Sequence, residues 1–568
     1  MHNLAYNSTQ YLWKFLMYIE RIKSGDKFQV LLRESFRVDG KVKKRTIANL
    51  TGRSEEEILA FQFACQNVKN IPEIMANRES TEANSSLAQG KAVGAAFMLA
   101  DVAKRLGITD ALGKGDDAEL ALWQIFARLI GQGSRLSAVR LHDTHALAEA
   151  INLKQGFSED QLYQNLAWLA ENQDKIEDRL FKFRYGKDSA ATNFLLYDVT
   201  SSYLEGEYNE FGAYGYNRDG KKGKLQIVVG LVCDRDGWPI TIQVFEGNTS
   251  DTTTFGDQVR KAVQRFGCKR VTFVGDRGMI KASQKKDLAE ADFNYITALT
   301  RKQIETLEKD GLIELSMFDN DLCEVTKDET RYILRCNPVR KDEISASRQS
   351  KKESIEALIQ KKANYLTEHP LAKVETALKE INKKIEKLKC KWLTVQADER
   401  KLKLVQDEEM LAEKSCLDGC YVITSDLPPE VETAENIHQC YKDLAYVESA
   451  FRESKTTHLE LRPINVRKKA STKGHAFVVM LAYLMRMELK KAWRPIDGTV
   501  EEGIKALSTL SCVVETKEKH FIVNKIPEPT GLCKKLLDAL KINLPKIFLQ
   551  SKLHVATRKK TKKDTNPI

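Results

Sequence analysis

The sequence has no hydrophobic run long enough to cross a membrane as a helix. Its longest strongly apolar stretch is 476–485, well short of the ~20 residues that span a bilayer. The amino-terminal segment carries Glu20 and has no basic leader before an apolar run, which is not the pattern of a secretory signal. We therefore predict a cytoplasmic protein with no membrane partner.

Paired cysteines and clustered histidines are also missing. The 11 cysteines are mostly isolated along the chain, and their odd number argues against a secreted disulfide framework. Cys416 and Cys420 form the only close pair, but no second pair or nearby histidine completes a zinc site. His142 and His145 lack a third ligand in the same way. The sequence thus predicts reduced thiols and no histidine or cysteine metal site.

Positive charge is in modest excess over negative charge. The chain has 568 residues, and Lys and Arg exceed Asp and Glu by 11. This excess suits a polyanionic partner such as nucleic acid, although proteins without such a partner reach it too. The length predicts about three or four folding units.

Turn and capping signals predict the elements of the amino-terminal third. The Asp-Gly dipeptide at 39–40 between two extended runs predicts a β-hairpin. Ser54 and Glu57 form a capping box before a helix. Residues 71–90 are polar and aperiodic, as a linker would be. Apolar residues three and four apart predict a helical region over 91–188, which we interpret as a DNA-binding domain.

Strand and helix patterns alternate in the centre of the chain. The predicted strands are 193–207, 224–234, 238–247, 271–276 and 294–299, with a helix before each of the last two. The resulting order β-β-β-α-β-α-β is the one that the ribonuclease-H-like nuclease fold requires. We therefore predict an α/β protein with a mixed five-stranded sheet at its centre.

The remaining segments predict an insertion into this core and a helical end. The runs IELSMF and YILRC predict short strands, and about 342–412 predicts charged helices, followed by a strand at 419–427. The predicted organisation is an amino-terminal β/α region with a linker (1–90), the helical domain (91–188), a ribonuclease-H-like core (189–300 and 433–492), an insertion domain (301–432) and a carboxyl-terminal region with a basic tail (493–568).

Two aspartates lie on predicted strands of the core. Asp198 is in the middle of the first strand, where alternation places it on one face with Leu196. A carboxylate buried in a core strand costs free energy unless a partner balances its charge. The alternative is that this face of the strand is exposed to solvent. Asp276 ends the strand VTFVGD, where a turn role or an ion pair with Arg277 is the alternative to a functional one.

A third carboxylate falls on a predicted helix. In YKDLAYVESAFRESK, Tyr441, Glu448 and Lys455 are seven residues apart. Seven helical residues turn about 700°, so the three side chains line one face. A metal ion shared with the two aspartates would explain Glu448, as would a buried ion pair with Lys455 or Arg452.

These segments resemble the DDE transposases of bacterial insertion sequences, in the branch with the signature Tyr-x2-Arg-x3-Glu-x6-Lys. YDVTSSYLEGE is similar to the first-aspartate motif of that family, VGDRGM to the second, and YKDLAYVESAFRESK to the third. Tyr441, Glu448 and Lys455 match the signature, whereas Leu444 stands at its arginine position. The resemblance covers about 25–490, and the long gap before Glu448 matches an insertion domain.

The resemblance implies that Asp198, Asp276 and Glu448 are catalytic residues that hold two Mg²⁺ ions, which Mn²⁺ can replace. Oxygen ligands suit such hard cations, and two ions ~3.5–4 Å apart can activate water and stabilise the leaving 3′ oxygen of a phosphodiester. It also implies that the protein cuts double-stranded DNA at its own terminal inverted repeats and joins the 3′ ends to target DNA. Pairing two ends requires at least a dimer in the DNA complex, on the nucleoid of a bacterial cell.

Aromatic and cationic residues beside the predicted site are candidate DNA contacts. Tyr441 would stack or hydrogen-bond at the DNA end, with a core aromatic as the alternative. Lys455 would pair with a phosphate, with a solvated lysine as the alternative. Further candidates on the same helix and in the basic segment after it are Arg452, Arg462, Arg467 and Lys468. Such contacts make binding strongly dependent on salt.

Two other functions are compatible with these residues. A catalytically inactive DNA-binding protein derived from a transposase would keep the fold, but here all three carboxylates are present. A ribonuclease-H-fold DNA nuclease would not need tyrosine and lysine at the signature spacing. A tyrosine recombinase is poorly supported, because Tyr441 lacks the arginine–histidine–arginine setting of such a nucleophile.

Overall fold

The computed structural model describes most of the chain. The residues that it describes are 16–24, 27–38, 41–66, 85–186, 193–266, 271–455, 459–462, 464–517, 521–549 and 553–557. The chain divides into two compact units, Met1–Leu87 with Glu515–Ile522 and Ala88–Val514 with Val523–Ile568. In the described ranges no helix has the length and the apolar character needed to cross a membrane.

The first unit contains an antiparallel sheet and a helix. The sheet has the order β1 (Leu16–Ser24), β2 (Lys27–Val38), β3 (Lys41–Asn49), and α1 (Glu55–Gln66) follows it. The predicted capping box forms, because the Glu57 amide donates to Ser54 Oγ and the Ser54 amide donates to the Glu57 carboxylate. The predicted turn at 39–40 lies outside the described residues. So does most of the predicted linker, although its last residues belong to strand β4 (Ser85–Ala92).

The predicted helical region is confirmed within the second unit. Its helices are α2 (Gly94–Arg105), α3 (Ile108–Leu112), α4 (Asp116–Ile130), α5 (Arg135–Thr144), α6 (Leu147–Ala150) and α7 (Glu159–Tyr185), with the short strand β5 (Phe157–Ser158) before the last. Ser158 and Gln161 form a capping box that begins α7. Large apolar side chains such as Trp123 and Phe126 are fully buried between these helices.

All five predicted core strands form. They are β6 (Phe194–Tyr203), β7 (Gln226–Cys233), β8 (Pro239–Glu246), β9 (Thr272–Gly275) and β10 (Asn294–Ala298), with α8 (Asp251–Gln264) and α9 (Ala282–Glu290) before the last two strands. Strands β6, β7 and β8 are antiparallel neighbours, and β9 runs parallel to both β6 and β10. The lateral order β8-β7-β6-β9-β10 places β6 in the middle of the five.

The segment that follows β10 widens the sheet. It contains α10 (Arg301–Lys309), β11 (Cys323–Lys327), β12 (Thr330–Cys336), α11 (Pro338–Glu368), α12 (Val374–Lys387), β13 (Leu393–Asp398), β14 (Lys401–Gln406), α13 (Glu408–Ser415) and β15 (Cys420–Ser425). Strand β15 pairs with β10, and β12 and β11 continue beyond it. The sheet therefore has eight strands instead of the predicted five.

Two parts of this segment differ from the prediction. The run IELSMF is not a strand, because Leu315–Asp319 forms a 3₁₀ helix that turns Phe318 into a core beside the sheet. The predicted charged helical stretch is interrupted by the β13–β14 hairpin. Leu402 and Leu404 alternate along β14 and pack against a small core that includes α12 residues. This period of two specifies a strand despite the intervening lysines.

Two long helices complete the part of the chain that positions the site. Helix α14 (Ala434–Lys455) contacts β6, β9 and β10, and α15 (Lys469–Ala492) contacts α14 and α7. The later elements are α16 (Val500–Thr509), β16 (Ser511–Lys517), β17 (Phe521–Lys525), α17 (Gly531–Ala539), β18 (Ile547–Phe548) and β19 (Val555–Ala556). The predicted basic tail beyond 557 lies outside the described residues.

The sheet has a different core on each face. Tyr197 and Val199 of β6 pack with Phe255 of α8 on one face. Leu196 packs on the other face, in a core that includes α14, α15 and the helical region. The alternation predicted for β6 is therefore confirmed, and it directs Asp198 to the side where α14 lies.

Candidate active site

Asp198 lies near the middle of β6. It is partly buried, although its neighbours on either side, Tyr197 and Val199, are fully or almost fully buried in the opposite core. Its Oδ1 accepts a hydrogen bond of 2.7 Å from the Val199 amide. Helix α14 packs on this side of the strand, so Asp198 stands beside the helix that carries Glu448.

Asp276 follows β9 directly and stands next to Asp198. The parallel pairing of β6 with β9 matches Tyr197 with Gly275, the residues that precede the two aspartates. The backbone register therefore brings both carboxylates to the same end of adjacent strands. Asp276 is exposed, and its Oδ1 accepts a hydrogen bond of 2.7 Å from the next amide in the chain.

Two side chains approach the Asp276 carboxylate. The Tyr441 hydroxyl donates to Oδ1 at 3.4 Å, and the Arg277 Nε lies 4.0 Å from the same oxygen. Burial raises the pKa of Tyr441 above its ordinary value, and the negative charge of Asp276 raises it further. Tyr441 thus combines partial packing against the core with a polar contact to Asp276. The Arg277 ion pair does form, but both side chains are more than half exposed, so it contributes little to stability.

Glu448 reaches the same place from α14. Leu444, Val447 and Phe451 bury the inner face of this helix, and Glu448 is exposed at the border of that face. The Lys455 ammonium group does not pair with it and instead lies 2.9 Å from Asp219. Of the two ion pairs that were the alternative explanation for Glu448, the one with Lys455 is therefore not formed.

The three carboxylates line one cleft together. This carboxylate cleft has a volume of about 1220 Å³, and a smaller recess of about 330 Å³ shares the same three residues. The pKa of Asp198 is raised to about 7, chiefly by burial and further by the negative charges of Asp276 and Glu448; the Val199 amide and Arg218 oppose the rise. Negative charge is thus concentrated where β6, β9 and α14 meet.

The donor set of the cleft has the chemistry of a hard-cation site. Asp198, Asp276 and Glu448, three of the acidic residues that line it, offer only oxygen atoms, the ligands that Mg²⁺ and Mn²⁺ take. Among the described residues, no three acidic, histidine or cysteine side chains are arranged to hold an ion as they stand.

Asp219 adjoins the candidate site through Lys455, which lines the smaller recess, and no motif in the sequence singled it out. Its side chain is 3% exposed, and its Oδ1 lies 2.9 Å from Lys455 Nζ and 2.6 Å from Arg462 Nη1. Its Oδ2 accepts a hydrogen bond from the Tyr203 amide at the end of β6. Burial lowers the pKa of Lys455, and Asp219 opposes this change. Lys455 is therefore a buried, paired cation and not the solvated lysine that was its alternative.

A second pair borders the smaller recess. Arg218 donates two hydrogen bonds to the Asp251 carboxylate, at 2.6 and 2.8 Å. Both residues line the recess with Asp198. Arg218 belongs to a basic stretch between β6 and β7, and no local spacing in the sequence connects it with Asp251, which begins α8.

The other predicted DNA contacts lie at the surface near the site. Arg452 is exposed on α14 and lines the recess, whereas Arg467 and Lys468 are exposed just before α15. A backbone bridge between Leu204 and Ile464 holds this segment beside the end of β6. Leu444, at the signature's arginine position, is buried and faces the core.

Comparison with known protein families gives two matches. Residues 190–485 match the family described as "Transposase DDE domain", and residues 19–80 match "IS1634 family transposase, N-terminal domain". No curated protein matches the chain. A structural likeness exists to a "piggyBac transposase synaptic complex with hairpin DNA", with 8% identity, a TM-score of 0.35, and coverage of 72% of this chain and 76% of that one. This likeness is too distant to add to the family assignment.

The first match spans the three carboxylates, the eight-stranded sheet, α14 and most of α15, and it covers more than half of the 568 residues. The chain therefore belongs to the DDE transposases of insertion sequences, enzymes that cleave DNA and transfer its strands.

Proposed function

We propose that this transposase binds the terminal inverted repeats of its own insertion sequence, cuts the DNA there and joins the 3′ ends to target DNA. The observation that carries the proposal is the convergence of Asp198, Asp276 and Glu448 on one cleft. They come from two adjacent strands and a helix far apart in the chain, in the family's order Asp, Asp, Glu. The strand order β8-β7-β6-β9-β10 supports a ribonuclease-H-like core for this chemistry.

Enzymes of this family use divalent metal ions, and we propose that the three carboxylates hold two Mg²⁺ ions, with Mn²⁺ as a substitute. The oxygen-only donors of the three residues support this assignment. So does the raised pKa of Asp198, which is due chiefly to burial and further to the charges of Asp276 and Glu448, because a cation would stabilise the ionised carboxylates. When bound, the ions would supply activation of water and stabilisation of the leaving 3′ oxygen.

The chain's own residues would orient these groups. Tyr441 holds the Asp276 carboxylate through its hydroxyl. Lys455 and Arg462 are fixed by Asp219, and Lys455 lines the recess that contains Asp198. We propose that this cationic pair acts near the phosphate at the cut.

The surrounding regions would contact DNA further from the cut. We propose that Arg452, Arg467 and Lys468 bind phosphates there and that the helical domain 91–188 binds the terminal repeat. The domain boundaries predicted from the sequence are proposed with it, with residues 301–432 as an insertion into the core. Pairing of two DNA ends would require a homodimer in the complex, formed on the bacterial nucleoid.

Cleavage of the element's own ends tests this proposal. The inverted repeats that flank the gene supply the duplex, and the full chain is incubated with it and Mg²⁺ or Mn²⁺. We expect cuts at the repeat ends and joining to a plasmid target. Asp198→Asn, Asp276→Asn and Glu448→Gln should each abolish cleavage and retain DNA binding, because each removes a ligand without removing bulk.

Glu305→Gln is the matched control. Glu305 also lines the carboxylate cleft, but it pairs with Arg301 at 2.8 Å on α10 and has no assigned role in the reaction. Its variant should cut as the wild type does. Cleavage by any one of the three carboxylate variants would overturn the site. Binding without cleavage by the wild type would favour an inactive DNA-binding derivative, and cleavage without repeat specificity or joining would favour a nuclease.

A further inference from the structure

The carboxylate cleft has a second wall that the reaction proposed above does not use. One wall carries Asp198, Asp276 and Glu448 from β6, β9 and α14. The other is formed by the segment between β10 and β15, through residues of α11, the end of α12 and α13. This second wall faces the same space, so a molecule that reaches the carboxylates through this cleft passes beside it.

Three lysines occur on this second wall. They are Lys351 on α11, Lys389 just after α12 and Lys414 on α13. Within the described part of the chain, none of the three forms an ion pair with a carboxylate. We call these three residues the lysine wall.

The lysines of the wall gather around a single buried residue. Burial raises the pKa of the Cys390 thiol, and the positive charges of Lys351 and Lys414 oppose that rise. Both ammonium groups are therefore close enough to Cys390 to act on it electrostatically, and Lys389 is its neighbour in the chain. Cys390 packs in a small core with residues of α11, α12 and α13, so the elements that carry or precede the three lysines meet there.

Except for Glu413, the other acidic residues on this wall are paired with arginines. Glu305 pairs with Arg301, Glu343 with Arg340 at 2.7 Å, and Asp418 with Arg348. The lysines are therefore not counterions for the acids that these arginines hold. The cleft has an acidic side and a cationic side, which is the charge pattern that suits a polyanion whose reacting phosphate lies at the acidic side.

We propose that the lysine wall binds phosphates of duplex DNA beside the bond being cut and holds that DNA against the carboxylates. The inference rests on the proposed function, because it assigns the DNA segment that enters the same cleft. A neighbouring protein would not need three unpaired lysines directed at a cleft with a carboxylate site, whereas a phosphate backbone repeats its charge along the cleft.

Salt-dependent binding of a repeat-end duplex tests the lysine wall. The full chain carries Lys351→Gln, Lys389→Gln and Lys414→Gln together, and its Kd is measured in EDTA over a range of KCl concentrations. We expect about tenfold weaker binding, and a slope of log K against log salt that is shallower by up to ~0.9 for each phosphate that the variant no longer binds. Replacement of the three lysines by arginine should restore most of the binding.

A matched control removes the same charge elsewhere on the same segment. Lys361, Lys379 and Lys383 are exposed on α11 and α12 and do not line the carboxylate cleft. Their triple glutamine variant should bind DNA with nearly the wild-type slope. Thermal unfolding of both variants checks that each is folded.

The outcomes separate this inference from the proposed function. Equal binding by the wall variant and the control variant overturns the lysine wall, whatever the wild type cleaves. Equal loss of affinity in both variants also overturns it, because the effect would then be one of net charge. Failure of the wild type to cut repeat ends, with a specific binding defect in the wall variant, would instead overturn the proposed reaction and leave the wall as a DNA-binding surface.

Discussion

The two walls of the carboxylate cleft hold their charges in different ways. On the core side, the register of β6 and β9 fixes Asp198 beside Asp276, and Asp219 is almost fully buried between two cations. On the side of the segment between β10 and β15, most charges stand on exposed helical surface, and Glu343 pairs with Arg340 within one turn. The buried Asp418, which pairs with Arg348, is the exception on that wall.

The core side therefore holds buried charges whose partners are fixed by the fold, whereas the other side holds mainly exposed charges that contribute to the electrostatic potential of the cleft. A buried charge that loses its partner is strongly destabilising, because nothing else solvates the remaining ion. An exposed pair contributes little, because water and salt screen it. Substitutions on the two walls should therefore differ in size and also in what they change.

The largest effect on stability is expected at Asp219. Asp219→Ala leaves Lys455 and Arg462 without their shared carboxylate, and breaking a buried pair in this way costs about 3–5 kcal/mol. Urea unfolding of the full chain would measure the loss of stability. The control is Glu205→Ala, which breaks the exposed pair with Lys224 and should cost no more than ~1 kcal/mol. Similar losses in the two variants would contradict the contrast drawn between buried and exposed charge.

An intermediate effect is expected from the titration of Asp198. Its pKa in the folded protein is raised to about 7 from an ordinary value of 3.8. Between these pH values the folded protein keeps a proton that the unfolded chain has released, so this residue lowers stability as the pH rises. Asp198→Asn removes the titration. In EDTA the variant should therefore have the higher Tm at about pH 8, and the gap should shrink toward pH 4.

Added ions sharpen the same measurement. Mg²⁺ should raise the Tm of the wild type more than that of the Asn variant, because binding to the folded state stabilises it and the variant lacks one ligand. In the measurement without ions, a difference in Tm between the wild type and Asp198→Asn that does not change with pH would contradict the prediction. It would show that the charge of the buried, crowded Asp198 is not what lowers stability.

The smallest effect on stability is expected in the segment between β10 and β15. Glu343→Gln removes an exposed pair with Arg340 on α11, and the free energy of unfolding should change by less than ~0.5 kcal/mol. The cleavage rate should be unchanged, since Glu343 has no assigned role in the reaction. A destabilisation as large as that of Asp219→Ala would show that this segment also holds its charges by position.

Much of the core was predictable because its signals are local. Alternation in β6 predicted which face carries Asp198. The succession of strand and helix patterns around it predicted the five core strands. The spacing of Tyr441, Glu448 and Lys455 predicted a common helix, which α14 confirms. Leu444 was visible as a departure from the signature, but only its burial in the core explains what an apolar side chain does there.

Other features were not predictable because they depend on partners far along the chain. In the sequence, Asp219 is one acidic residue within a basic stretch and has no distinguishing pattern. Only the fold brings it into contact with Lys455 and Arg462. The β13–β14 hairpin was predicted as part of a charged helical stretch, because its lysines outweighed the period-two pattern of its leucines. The run IELSMF was too short for periodicity to separate a strand from a helical turn.

The sequence by itself determined the strands and the helix that carry the three carboxylates, because short-range periodicity fixes which face of a strand or helix a residue occupies. Its motifs also determined the family to which the chain belongs. The tertiary structure decided which of these residues meet. Parallel pairing placed Asp276 beside Asp198, and Asp219 paired with Lys455 and Arg462. Strands β11, β12 and β15 widened the sheet, and the segment between β10 and β15 formed the far wall of the cleft. Each of these depends on contacts between residues distant in the chain, which no local pattern encodes.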